Sequence, residues 1–441
     1  MKQQADKNAL FTREGRPPIK DSFPMALQHV VAMAVGGITM PMIIAGIVGI
    51  QGRDQVMMVQ ASLIAAGLAI ILQAYGKKGL IGSGLPVMVG SGFAFLPTLS
   101  NIAASDGMGA LVGAQMIGAF AGILVGLIFK RIRFLFPPIV TSCVVLTIGI
   151  SLYKTAVKYM AGGSIATGFG SASNWILALL TLLVVVVCTQ YGKGMIKASA
   201  TLIGILAGCI VAMIMGNIDP SGLFAAEWFQ VPVLFPFKPV FTVNAMISLS
   251  IVFIVNTVQD IGQFEATANG VYKRKASDSE LTGGVIVNNI CSLIGGILGG
   301  APVATAGQNV GIVVTTGVIN RLVFGMAGLL VLVVGLVPKL SAVFTMIPQP
   351  VLGGATITVF GSIAMTGIRM LSREGLTQRN TFIAGLSVAL AIGIPQVSNV
   401  FAECPSWIGQ IFGNSEIIIV ALVSIILNLV LPKEELENHK S

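Results

Sequence analysis

Apolar residues run along this chain in long blocks, without the polar face that marks the surface helix of a soluble protein. A block of roughly 20 mostly apolar residues is long enough to cross a bilayer as a helix. Fourteen such blocks, with soft edges, cover 24–50, 55–75, 84–103, 107–129, 134–152, 174–191, 196–216, 242–270, 281–300, 302–319, 321–337, 341–367, 379–396 and 414–431. The pattern predicts an all-α membrane protein. Two blocks, 84–103 and 302–319, are too rich in Gly, Pro and polar residues for plain helices. Non-helical backbone survives at membrane depth only where protein or a cavity satisfies its N–H and C=O groups. Each of these two is therefore predicted to run as a short extended piece, Val87–Phe93 and Val303–Gln308, followed by a half-helix. The two pieces could pair as strands.

The interrupted blocks resemble each other. Gly84-Leu85-Pro86-Val87 precedes Gly90-Ser91-Gly92-Phe93, and Gly300-Ala301-Pro302-Val303 precedes Gly307-Gln308-Asn309, 216 residues on. A second pair, Pro138-Ile139-Val140 with Gly149 and Pro350-Val351-Leu352 with Gly361, is offset by 212. Seven blocks separate the members of each pair. Seven is odd, so the two halves enter the membrane from opposite sides. This is the plan of an inverted-repeat transporter, whose site lies near the midplane between interrupted helices.

Composition agrees with the pattern. The chain has 441 residues, 10% of them charged, against about 25% in soluble domains, and its mean hydropathy is +0.90. The net charge of +9 does not point to nucleic acid, because the basic residues fall in short clusters between apolar blocks. Of the 26 Lys and Arg, only Arg53, Lys154, Lys158, Lys238 and Lys339 fall on the side opposite the N-terminus under fourteen crossings. The positive-inside rule then places both termini in the cytoplasm. Residues 1–22 read as a polar tail without a signal peptide's short apolar core and cleavage site. The five cysteines show no C-x-x-C spacing, and four lie in apolar blocks, as small packing residues do.

Polar residues inside the blocks carry the functional signal. His29 follows Gln28 in the first block. The eighth holds Asn256, Gln259, Asp260, Gln263 and Glu265; the ninth holds Asn288 and Asn289; the tenth holds Gln308 and Asn309. Gln259 and Gln263 are four apart and share a helix face, while Asp260 lies about 100° round from Gln259. His29 suits either a helix-bridging hydrogen bond or ligand contact, and Asn288 and Asn289 suit structure slightly better than ligand. Amides both donate and accept, so a set of them fits a planar ligand with alternating C=O and N–H groups, such as a nucleobase. Phe93 could stack on its face.

These residues carry a family resemblance over essentially the whole chain. Gln308-Asn309-Val310-Gly311, ending in Thr315-Thr316-Gly317, is a full match to the signature of the nucleobase–ascorbate transporters, or nucleobase–cation symporter 2 family. Gln28-His29 and Gly92-Phe93-Ala94-Phe95 match that family's first and third spans. The resemblance implies fourteen spans in two inverted repeats of seven. Its core domain would be 23–133 and 242–338, and its gate domain 134–241 and 339–431, between cytoplasmic tails 1–22 and 432–441. It implies coupled import of a purine or pyrimidine base across the cytoplasmic membrane, here a purine such as xanthine or uric acid given Gln308, with a proton or sodium as coupling ion and no other cofactor or metal. It implies a homodimer in lipid. Substrate contacts carry over as Gly36, Phe93, Gln259, Gln263, Gln308 and Asn309. Gln308 resembles the purine-type members; uracil carriers have Glu there.

The chain departs from the family pattern where acidic residues are usual. Gln259 and Gln263 stand at eighth-span positions usually carrying Glu and Asp or His, and Asn288 stands where the ninth span usually carries Asp. Ion coupling then falls to Asp260, Glu265 or His29, or is absent. An uncoupled facilitator and a uracil-type carrier are the alternatives. An anion carrier of the sulfate or bicarbonate type would share the plan but lack the signature. An enzyme is not expected: no clustered metal set, nucleophile–base pair or Walker motif appears. The missing carboxylates would also suit an anionic base such as urate.

Overall fold

The computed structural model describes residues 9–76, 81–163, 168–218, 220, 223–224, 226–230, 232–397, 400–405, 408–409, 412–413 and 415–432. The ends of both expected tails, and the basic pair Lys77 and Lys78, lie outside the described residues. Helices dominate: α1 (Ile19–Val48), α2 (Gly52–Tyr75), α3 (Leu96–Ser105), α4 (Gly107–Ile132), α5 (Pro138–Met160), α6 (Ala172–Tyr191), α7 (Ala200–Ile214), α8 (Val243–Tyr272), α9 (Asp278–Ile297), α10 (Gly307–Thr316), α11 (Arg321–Leu336), α12 (Pro338–Thr345), α13 (Gln349–Arg373), α14 (Gln378–Gly393) and α15 (Glu416–Val430). Among the described residues eight helices are long and apolar enough to cross a membrane, or nine if α11 and α12 count together.

One block divides differently from the sequence pattern. The block at 341–367 is not one helix. Its first residues belong to α12, which bends 83° from α11, and α13 begins only at Gln349. Pro338 opens α12 at the first helical turn, where a missing N–H costs nothing. Pro348 and Pro350 flank the start of α13, where proline's missing N–H and fixed φ cost least. Hydropathy alone does not register these prolines.

The interrupted blocks pair as short strands followed by half-helices, as expected, but the strands are shorter than 87–93 and 303–308: Phe93 opens a 3₁₀ turn, and Gly307 and Gln308 already belong to α10. β1 (Val89–Ser91) and β2 (Val303–Thr305) pair antiparallel, with Val89 opposite Thr305, Gly90 opposite Ala304 and Ser91 opposite Val303. Gly92 N–H donates to Pro302 O at 3.1 Å and Ala306 N–H to Met88 O at 2.9 Å, extending the ladder at both ends. A two-stranded ribbon leaves outer edges that cannot go unpaired at membrane depth. Side chains supply the partners on β2: Ser292 Oγ accepts from Val303 N–H at 2.9 Å and Asp260 Oδ1 from Thr305 N–H at 2.7 Å. Gly92 must be small, since a Cβ there would lie 2.8 Å from that of Ala304.

The chain divides into two compact units, Met1–Phe129 with Lys154–Val359, and Lys130–Tyr153 with Phe360–Ser441. In the first, α2 and α11 pack with backbones in near contact at Gly67, Gly328 and Gly335. Gln60 Nε2 donates to Gly335 O at 2.9 Å across that seam. Small residues and interhelical hydrogen bonds are what join helices in lipid, where apolar burial gives no drive. In the second, α5 and α13 meet the same way, Gly149 against the backbone of Ala364 and Gly367 against that of Leu146. Arg379 ties α14 to the end of α15 by donating to Asn428 O at 2.7 Å.

Candidate functional site

The crossed strands bring four elements to one place within the first unit. α1 passes with Ala32 and Gly36 facing inward. The Phe93 ring lies over Gly36, 3.4 Å from where a Cβ would stand. α10 starts at Gly307, just past β2, and its cap residue Ala306 offers no side-chain acceptor. Its first N–H groups are therefore left to other partners. Gln308 follows and is exposed, its Nε2 donating weakly to Ala32 O at 3.3 Å. From α8, Gln263 lies against Gly307, where a Cβ would stand 2.9 Å from its Nε2. Gln259, one turn back, is half-buried, and its Oε1 is buried without a hydrogen-bond partner. Gly36, Phe93, Gln263 and Gln308 are thus gathered around the strand crossing, with Gln259 on the same face of α8. They offer amide donors and acceptors and an aromatic face, and no ionised group.

Asn309 is placed otherwise. It is fully buried, and its Nδ2 donates to His29 O at 2.9 Å and lies 3.2 Å from His29 Nδ1. Successive residues of a helix point about 100° apart. With Gln308 outward, Asn309 turns inward and ties α10 to α1. His29 is equally buried, bridging the two helices, with its ring tilted against that of Phe324, ring centres 4.9 Å apart.

Asp260 lies on another side of α8, 1% exposed. Besides Thr305 N–H, it accepts from Asn288 Nδ2 at 2.9 Å and Asn256 Nδ2 at 3.2 Å. Asn288 also donates to Thr305 Oγ1 at 3.0 Å and accepts from Gln73 Nε2 at 2.9 Å. Gln73 Oε1 takes Ser83 N–H at 2.8 Å. A chain of amides thus runs from the first interrupted segment through α2 and α9 to a carboxylate holding the second. Sequence reasoning passed over Gln73, Ser292 and Thr305. A polar amide near the end of an otherwise apolar block was the available signal for Gln73.

Glu265 is not part of this gathering. Its Oε2 accepts from Ala276 N–H at 3.1 Å in the α8–α9 connection. That connection is closed further by Arg274, whose guanidinium forks onto Glu280 with both bonds at 2.7 Å. Asn289 caps nothing in the site; its Nδ2 donates back to Val285 O at 2.9 Å along its own helix.

A family model described as a permease family, Xan_ur_permease, matches residues 20–400. The chain belongs to the nucleobase–ascorbate transporter family. It is 34% identical to the uric acid permease PucK of Bacillus subtilis over 406 residues, covering 92% of this chain and 94% of that one. It is 33% identical to the xanthine permease of the same organism, with 92% of each chain covered. With the xanthine permease XanP of Escherichia coli the identity is 30%, over 98% of this chain and 96% of the relative. Among solved structures the fold resembles the transmembrane domain of the cyanobacterial bicarbonate transporter BicA, with TM-score 0.61 at 16% identity over 92% of this chain and 97% of that one. It also resembles SLC26A9, with TM-score 0.62 at 13% identity over 93% of this chain and 65% of that one. At such identities the likeness is one of fold. Membership of this family of permeases makes the chain a multi-pass membrane protein and points to transport of a small molecule, not to an enzyme.

Proposed function

We propose that the chain imports a purine base, xanthine or uric acid, across the cytoplasmic membrane by proton-coupled alternating access. In this reading fourteen crossings form two inverted repeats, a core carrying the strand crossing moves against a gate, both termini are cytoplasmic, and two copies associate in the bilayer. The base lies between Phe93 and the amides of Gln259, Gln263 and Gln308. The observation that carries the reading is the gathering of those amides at the strand crossing, with the Gln259 carbonyl oxygen buried and unpaired. A buried acceptor without a partner costs about 1–3 kcal/mol, and an N–H of a bound base would supply the partner. The names of the xanthine and uric acid permeases support purine over pyrimidine.

Coupling falls to Asp260 in this reading. The family pattern sets an Asp where this chain has Asn288, and Asp260 Oδ2 lies 2.9 Å from Asn288 Nδ2. In this reading Asp260, on the side of α8 that faces Asn288, serves in place of that carboxylate. Uptake of radiolabelled xanthine, urate, guanine and uracil into cells lacking their own carriers, with and without a protonophore, tests both parts. Purine uptake that collapses with the gradient is expected. Preference for uracil, or uptake indifferent to protonophore, overturns the substrate or the coupling respectively. The uncoupled facilitator is the second reading, favoured by the neutral Gln259 and Gln263, and the protonophore arm separates the two.

A further inference from the structure

Residues 9–18, just before α1, fold back onto the protein. Ala9–Phe11 make one 3₁₀ turn, and the chain folds back through Gly15, whose φ of +138° suits only glycine. This hook is seated on the connection that follows the half-helix α10. Leu10 O accepts from Ile319 N–H at 3.0 Å and Asn320 N–H at 3.2 Å, and Arg13 O from Arg321 N–H at 3.1 Å. Fully buried Asn320 is the centre of the joint. Its Oδ1 caps α11 by accepting from Leu322 N–H at 2.9 Å. Its Nδ2 faces three hook carbonyls, Ala9 at 2.8 Å, Thr12 at 3.1 Å and Gly15 at 3.4 Å.

The hook also reaches both interrupted segments. Phe11 packs beside Gly317, the left-handed residue that ends α10, 3.6 Å from where a Cβ would stand. The Arg13 guanidinium lies against Gly84, at the head of the first interrupted segment, where any side chain would collide with it. Pro17-Pro18 then leads stiffly into α1. The outer Glu14–Arg321 pair, 3.7 Å apart and exposed, adds little. α1 and α10 are therefore fastened twice: by His29 with Asn309 beside the site, and by the hook with Asn320 at the far end of α10.

We propose that the hook Ala9–Gly15, acting through Asn320, is a positioning element that sets α10 against α1 and so holds Gln308 at the substrate. This rests on the placement of the base at Gln308. The hook stays seated through the transport cycle, because every contact named for it lies within one compact unit.

Asn320→Ser separates positioning from helix capping. Serine keeps a capping oxygen but cannot reach three carbonyls. Positioning predicts a KM for the purine raised roughly tenfold, with maximal rate per molecule of membrane-inserted protein unchanged. Capping alone predicts wild-type kinetics, and that result overturns the proposal. A Leu10→Cys, Ile319→Cys pair, placed in a chain with its five native cysteines replaced, is then oxidised. Retained uptake with unchanged KM is expected. Uptake that stops on oxidation and returns on reduction overturns the seated hook. Gln308→Ala is measured in parallel. If it transports normally, the placement of the base fails whatever Asn320→Ser does. If it is impaired while Asn320→Ser is not, the hook proposal alone fails.

Discussion

Gln259 and Asp260 are neighbours on one helix and live in opposite chemical worlds. The Gln259 carbonyl oxygen is buried with no partner. The Asp260 carboxylate is buried deeper and holds three donors, two side-chain amides and the N–H of a strand. A group left unsatisfied at membrane depth is a cost that a ligand can remove. A group saturated by the protein is a joint, and changing it is felt through the fold. One residue along α8, about 100° round the helix, therefore separates the face that the proposed function assigns to recognition from the carboxylate that ties down the strand crossing.

The sharpest break of that contrast is at Asp260. Asp260→Ala leaves Thr305 N–H and the amides of Asn288 and Asn256 without their acceptor, at about 1–3 kcal/mol for each orphaned donor. Uptake is expected to vanish and the melting temperature of the purified protein to fall clearly. Asp260→Asn keeps the volume but removes the ionisable group. Protonophore-sensitive accumulation should be lost with a smaller change in melting. Asp260→Asn combined with Asn288→Asp returns a carboxylate to the pair from the other helix. Accumulation in that double variant should recover at least tenfold over Asp260→Asn alone. Equal inactivity of the single and double variants would show that the carboxylate is not what the pair needs.

On the other side of the helix the signature reverses. Gln259→Ala removes a side chain whose oxygen makes no bond within the protein, so melting should hold while purine uptake falls. A lost hydrogen-bond partner to a polar ligand typically costs one to several factors of about ten in kcat/KM. Gln308→Ala should behave alike, giving up only the 3.3 Å contact with Ala32 O. Melting that falls as far as in Asp260→Ala would make these amides scaffold and erase the distinction.

Much of this was legible in the chain. The strand crossing is written twice, in Gly84–Phe93 and Gly300–Asn309, because glycine and proline inside apolar blocks have few structural explanations. The amides were legible because a polar side chain in such a block is costly enough to need a reason. The network around Asp260 was not. It joins Gln73 to Asn288, 215 positions apart, and no local pattern encodes that meeting. Nor could the signature motif say which of Gln308 and Asn309 is exposed and which is buried, since that depends on how α10 is rotated. The hook was not legible because the residues before Ile19 are mostly polar, and a polar segment reads as a tail until its carbonyls are seen to be occupied. The prolines at 338, 348 and 350 were visible, but apolar block length outweighed them at 341–367.

Glu265 gives the smallest expected effect and the cleanest check on where coupling resides. It is the other carboxylate of α8, and by sequence it competes with Asp260 for the same task. Its place is the α8–α9 connection, with Oε2 on Ala276 N–H at 3.1 Å. Glu265→Gln keeps an oxygen able to accept that bond and removes only the charge. A half-buried acceptor bond that survives the change should leave KM and accumulation within about threefold of wild type. Uptake measured across an imposed proton gradient decides it. If Glu265→Gln abolishes accumulation while Asp260→Asn spares it, the coupling group sits at the end of α8, and the buried network beside the strands is scaffold alone.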